Sequence, residues 1–228
     1  MKTDLSKITA DLFEGFGRTL LLFAITLVLA IPLGMIIAVG SDSKFKPWRW
    51  LSRTFVWIIR GTPLLLQIIV VSFIPIVVFR VPSKDIARVL DIRVVQLSFV
   101  FVAIAFVVNY AAYFSEIYRG GLAATPKGQF EAAKVLGLTR TQTHFKIVLP
   151  QLFKRVLTPM SNEIITLVKD TALARIIGVM EILAFAEFYA NKTQYWVIFY
   201  SGIFYLAFNG ILTLIFRFIE KKLDYYKV

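Results

Sequence analysis

Four stretches of the chain, residues 19–40, 62–79, 94–114 and 195–216, contain no Asp, Glu, Lys or Arg over 18 to 22 residues. Apolar residues fill these runs from end to end instead of recurring at i, i+3 and i+4. Each run therefore predicts a helix apolar on every side, not the half-apolar helix of a soluble domain. About 20 residues at a rise of 1.5 Å each are enough to cross a hydrocarbon layer of about 30 Å. The run 195–216 also opens on Tyr195, Trp196 and Tyr200, aromatics of the kind that gather at a membrane surface.

Residues 157–179 form a fifth candidate span that breaks this pattern, with Glu163, Lys169, Asp170 and Arg175 inside it. Each central ionisable group costs about 2.5–3.5 kcal/mol on insertion scales, so four approach about 10 kcal/mol. The nine Leu, Ile and Val residues of the segment return only about 3–5 kcal/mol. Such a helix spans only if its polar face looks onto other helices or a water-filled path. At 100° per residue Asn162, Glu163, Thr166, Lys169 and Asp170 fall within an arc of about 120°, opposite Ile165, Leu167 and Val168. A polar stripe of this kind marks either an interhelical ion network or a solute path. As a path it offers Glu163 to an ammonium or guanidinium, with Asn162 and Thr166 to hydrogen-bond a carboxylate and Lys169 to neutralise it.

The pattern thus predicts an all-α polytopic membrane protein with about five transmembrane helices in one domain over residues 1–228. Lys and Arg set its direction. The segments 41–60, 115–156 and 217–228 hold sixteen of them, against eight in 1–18, 80–93 and 181–194. The positive-inside rule then puts the N-terminus outside and the C-terminus and the long loop 116–151 in the cytoplasm. The N-terminal segment carries acids and leads into a run too long for a signal-peptide core, so no cleaved signal is expected.

Composition narrows the chemistry. The chain is 58% hydrophobic and 18% charged, with a mean hydropathy of +0.73. Its net charge of +12 does not point to nucleic acid, because the basic residues lie between the apolar runs and the aromatics lie inside them. There is no Cys and one His. That excludes disulfides and thiolate chemistry, leaves few parts for a metal site, and makes an intramembrane metalloenzyme a poor fit. His144 reads as a surface or packing residue. Trp48, Trp50 and Trp57 with Arg49 and Arg53 read as an anchor at the cytoplasmic interface, and Asn109 as a partner for a polar group of the fourth span.

Within the long loop, Thr125 and Pro126 read as N-cap and first residue of a short helix over residues 129–136. Gly137 closes it in a left-handed turn. A second short helix is expected over residues 139–148, stopped by Pro150.

Glu131-Ala132-Ala133, then Gly137, Ile147 and Leu149-Pro150, resembles the EAA loop of ABC-importer permeases. Arg60-Gly61-Thr62-Pro63-Leu64 with Gln67, Glu116 with Arg119-Gly120, and Lys169-Asp170-Thr171-Ala172-Leu173 are similar to stretches of the polar-amino-acid branch of that family. The matches stand in order over roughly residues 15–220. Ala172 departs from the serine usual in the branch, so no role is carried onto it. The resemblance implies a coupling helix that docks into a cytoplasmic ATPase through Gln129, Glu131, Ala132, Ala133 and Gly137. It also implies two ATP-binding subunits, a second permease copy or a sister permease, a substrate-binding protein, and a bacterial plasma membrane location. The chain has no G-x-x-x-x-G-K-[ST] loop, so ATP and Mg belong to the partner and no cofactor is expected here. Ser161-Asn162-Glu163 looks like the stretch seen in permeases for basic amino acids and opines, favouring arginine, lysine or histidine over glutamine. The alternative is an ion-coupled secondary amino acid transporter using Glu163 and Asp170, which five spans without an inverted repeat fit poorly.

Overall fold

The computed structural model describes residues 5–223; Lys2 and Lys227 of the Lys and Arg count lie outside them. The elements in order are α1 (Leu5–Ser41), α2 (Lys46–Arg60), α3 (Leu64–Phe79), α4 (Ser83–Val89), α5 (Val94–Ala123), α6 (Lys127–Val135) and α7 (Arg140–Thr143). A π turn (His144–Val148), α8 (Leu149–Asp170), a 3-10 turn (Thr171–Ile177), α9 (Ile182–Ala190) and α10 (Trp196–Lys222) complete the chain. Among the described residues there is no strand.

Chain direction alternates through five passes. Gly34 of α1 packs on Ala111, Phe114 and Ser115 of α5, while Arg18 and Leu21 line one cavity with Val95, Gln96 and Phe99, so α1 and α5 run parallel. α8 returns antiparallel to α5: Gly121 faces Leu152 and Val156, and Tyr110 reaches Asp170. α10 runs beside α1, with Phe13 and Phe16 against Phe204, and Phe23 against Phe208. It meets the start of α8 where Thr158 donates to Glu220 at 2.8 Å. The end of α1, α2, the end of α5, the loop and the start of α8 thus share one end of the molecule, the loop end. α4, α9 and the start of α1 share the far end.

By length and apolar content α1, α5 and α10 qualify as spans, and α2 with α3 forms a fourth bent by 109°. α8 is not among them: its 22 residues include Lys154, Arg155, Glu163, Lys169 and Asp170. The described residues thus hold three to four candidate spans against the about five expected, and the pass left out is the one whose charges already set it apart in the sequence. The fourth pass also has different bounds. Helix α8 begins at Leu149, not residue 157, and tightens to a 3-10 turn at Thr171 that Gly178 ends with a left-handed φ of +82°.

Two elements at the far end went beyond the sequence expectation. Helix α1 begins fourteen residues before the uncharged run, at Leu5. The extension buries Ile8 and Leu12 against Ile182, Ala186 and Tyr189 of α9, a helix unforeseen in a segment treated as loop. Glu181 is 1% exposed at the N-cap of α9. Its carboxylate accepts from Leu183 N–H (2.9 Å), Ala184 N–H (2.7 Å) and the Tyr205 hydroxyl (3.0 Å). Three donors satisfy a charge that would otherwise be expensive to bury.

The main core lies between α1 and α5, where small residues bring the backbones together. A Cβ on Gly34 would stand 2.8 Å from Phe114 Cβ and 3.0 Å from the Ala111 carbonyl oxygen. Neither neighbour is a flexible chain end, so Gly34→Val forces the helices apart. We expect it to destabilise the purified protein by about 1–3 kcal/mol, read as a lowered melting temperature in detergent. An unchanged melting temperature would mean that α1 and α5 are not packed this closely.

Candidate functional site

Polar groups in the spans concentrate at the break between α2 and α3 and along one side of α8. The break is built by Gly61, Thr62 and Pro63, since proline removes a donor and pushes its predecessor out of helical geometry. Carbonyls freed there need partners inside an apolar layer. Gln67 supplies them: its amide nitrogen reaches Ile59 O at 2.8 Å, Thr62 O at 3.1 Å and the Thr62 hydroxyl at 3.0 Å. Asn109 of α5 then donates to the Gln67 amide oxygen at 3.0 Å. Asn109 therefore meets the second pass; the sequence expectation of a partner on the fourth is corrected.

Along α8 the apolar side, Ile164, Leu167 and Val168, is buried. Of the polar stripe, Asn162 and Lys169 are exposed and Glu163, Thr166 and Asp170 are half-buried. The outer edge of the stripe is thus open, and the rest is partly covered by the other helices of the chain. Asp170 is the member held internally, accepting from the Tyr110 hydroxyl at 2.7 Å. Glu163 lies two turns below Asp170 on the same face, within electrostatic reach of both Asp170 and Arg60. Among the described residues Glu163 has no ion pair within 4.0 Å. Ile165 is half-buried, so the apolar side is centred nearer Ile164 than expected.

Arg60 closes α2, where a cation suits the negative end of a helix. Its guanidinium lies 5.2 Å from the centre of the Tyr113 ring and 3.6 Å from Glu116. Glu116 is gripped in bidentate fashion by Arg119, at 2.9 and 2.7 Å. The sequence marked Arg60, Glu116 and Arg119 only through the family resemblance. Their i, i+3 spacing in α5 was the available local signal for the Glu116–Arg119 pair.

The loop forms two helical pieces, as expected, with different caps. Pro126 itself takes the cap position of α6 in extended geometry. Thr125 does not cap it: the side chain is 7% exposed, and its hydroxyl accepts from Arg155 of α8 at 2.8 Å. Helix α6 starts two residues before the expected Gln129. It ends at Gly137, whose φ is +73°. Gly137 N–H bonds Lys134 O and Leu138 N–H bonds Ala133 O, each at 3.0 Å, a Schellman closure. Ala133 is fully buried, Glu131 and Ala132 are exposed, and Gln129 is intermediate with a sheltered, unpartnered amide oxygen. Thr139 and Gln142 then form a capping box for α7. His144 is exposed and packs on Phe130 at 6.1 Å between ring centres.

Pro150 does not stop the second piece. The chain continues helically from Arg140 through the π turn into α8, where Pro150 sits in the first turn. The Leu149 N–H bonds His144 O five residues back. This shift of register leaves Pro150 where a missing N–H does no harm.

Known proteins resemble this chain in sequence and in fold. L-cystine transport system permease protein TcyB of Bacillus subtilis (strain 168) is 35% identical over 215 residues, covering 93% of this chain and 86% of the relative. Arginine transport system permease protein ArtQ of the same organism is 31% identical over 214 residues, covering 93% and 92%. A crystal structure of an amino acid ABC transporter with histidines superposes with a TM-score of 0.81 at 25% identity, covering 97% of this chain and 100% of that one. The family model for binding-protein-dependent transport system inner membrane components matches residues 30–225. With a matching fold over nearly the whole length and a matched family over most of it, the chain belongs to the binding-protein-dependent transport system inner membrane components, the permease subunits of ABC importers.

Proposed function

We propose that this permease carries an amino acid, with arginine, lysine or histidine favoured, along a path of which the α8 stripe forms one wall. The observation that carries this reading is the outward polar side of α8. Asn162, Glu163, Thr166, Lys169 and Asp170 run along a helix that its own chain leaves partly open on that side, so a second permease copy or a sister chain completes the enclosure. The importer names of the relatives support the solute class, and the carboxylates of Glu163 and Asp170 suit the ammonium of any amino acid. Energy comes from two ATP-binding subunits, and a substrate-binding protein delivers the solute. The test is reconstitution with the companion ATPase and binding protein into proteoliposomes. ATP-dependent uptake of basic amino acids ahead of glutamine is the expected result. Uptake driven by a proton or sodium gradient without ATP would overturn it in favour of secondary transport.

The loop is the proposed ATPase contact, through Gln129, Glu131, Ala132, Ala133 and Gly137. Beside these residues Val135, Leu136 and Phe145 are 88%, 76% and 67% exposed, an apolar patch that suits a protein partner more than water. The charge bias supports a cytoplasmic loop end, with the N-terminus outside and the C-terminus inside a bacterial plasma membrane. Reporter fusions should give an internal signal at the C-terminus only. An internal signal from both ends would remove one of the five crossings.

A further inference from the structure

Helix α2 carries a pattern that neither the α8 stripe nor the loop uses. It holds Lys46, Arg49, Arg53 and Arg60 and no acid. Lys46, Trp50, Arg53, Trp57 and Arg60 recur at i, i+4, i+7, i+11 and i+14, which puts them on one stripe about 80° wide. All five are exposed, Trp50 at 69% and Trp57 at 76%. Leu51 and Ile58, exposed on a neighbouring arc, give the helix an apolar flank. Ser52 and Val56 are buried, and Ser52 seats the helix against Gly40 of α1.

The 109° bend between α2 and α3 turns α2 across the direction of the passes, as a helix lying along a membrane surface would be. A basic, tryptophan-bearing amphipathic helix in that position meets lipid headgroups. Between α2 and the end of α5 lies an open groove of about 530 Å³ lined by Arg53, Val56, Trp57, Arg60, Glu116 and Arg119. Three guanidiniums there face the single carboxylate of Glu116. Cations still outnumber anions when Asp42, 3.6 Å from Arg53 at the rim, is included. Arg53 is held in place by a 2.9 Å bond from Nε to Ser41 O, and its side chain stays exposed.

We propose that this groove binds the phosphate headgroup of an anionic membrane phospholipid, of the phosphatidylglycerol class, and so fixes α2 at the membrane surface. Arg53 and Arg119 supply charge-assisted donors to the phosphate oxygens. Trp50 and Trp57 sit at headgroup depth beside them. A free anion in solution would use the arginines but would gain nothing from the tryptophans or from the apolar flank. The test reads lipid retention and needs no transport.

The purified full chain is placed in detergent micelles containing equal amounts of phosphatidylglycerol and phosphatidylethanolamine, and the lipids it retains are counted by intact-mass spectrometry. Phosphatidylglycerol should be preferred, and R53Q/R119Q should lower that preference by about five-fold for each arginine, the equivalent of about 1 kcal/mol per basic residue. R53K/R119K should keep most of it, and R88Q, at the far end, should leave it unchanged. If R53Q/R119Q does not stay folded, the unchanged chain decides: about 1 M salt, where screening acts within about 3 Å, should remove the preference. Equal retention of the two lipids, a preference untouched by R53Q/R119Q, or one that persists in high salt would overturn the proposal. Displacement of phosphatidylglycerol by an equal concentration of soluble glycerophosphate would also overturn it, and would assign the groove to a soluble anion.

Discussion

Gly137→Val is expected to abolish ATP-driven uptake while leaving the chain inserted and its passes packed. Gly137 holds a φ of +73°, a region that β-branched residues adopt only at a cost of about 1–3 kcal/mol. No atom lies within 4 Å of where its Cβ would be, so the penalty is one of backbone conformation and not of collision. Relief of that strain breaks the bonds from Gly137 and Leu138 to Lys134 and Ala133, and a helix of nine residues has little else to hold its last turn. Gly137→Asn is the matching control, because asparagine enters the left-handed region more readily, and it should retain most of the uptake. Uptake by proteoliposomes and co-purification of the ATPase measure both variants. Normal uptake by Gly137→Val would sink the assignment of this loop as the ATPase contact.

The second large effect concerns selectivity. Glu163→Gln should weaken uptake of arginine or lysine about ten- to a hundred-fold relative to neutral amino acids, the range expected when a charged hydrogen bond worth about 1.5–3 kcal/mol is lost. Stability should change little. Glu163 has no partner within ion-pair distance among the described residues, and Lys169 on the same helix is exposed, so removing the carboxylate strands no buried cation of this chain. Competition uptake and a melting curve on the same purified variant separate the roles. Unchanged selectivity with a lowered melting temperature would make Glu163 part of the packing between helices and not of the path.

How far the sequence reads depends on what each element rests on. The apolar runs at α1, α5 and α10 were legible because they depend on composition alone, and Gly137 because one torsion region admits almost nothing else. The bounds of the fourth pass were not legible. Pro150 looked like a stop, and only the π turn before it, a feature of hydrogen-bond register, lets the helix continue. Thr125 looked like a cap until Arg155, thirty residues away in the chain, took its hydroxyl. The partner of Asn109 could not be read for the same reason: Gln67 is recruited by carbonyls that the break at Pro63 sets free. Helix α9 and the start of α1 are each too short in apolar run to announce themselves, yet Ile8 and Leu12 stand at i, i+4 and meet Ile182 and Ala186 at the same spacing. The polar stripe of α8 was visible on a helical wheel. The direction it faces was a tertiary fact.

The π turn also has a consequence for phase. Arg140 to Asp170 is one helical rod of about 45 Å at 1.5 Å per residue, with the loop at its base and Asn162, Glu163 and Thr166 near its tip. A π turn holds one residue more than an α turn across the same rise, and one residue corresponds to about 100° of rotation. The extra residue between His144 and Val148 therefore sets the angle between the loop and the polar side above it. Without it the loop could keep its own bonds and α8 its own length, while the side that carries Glu163 would turn about a quarter of the way round relative to the loop.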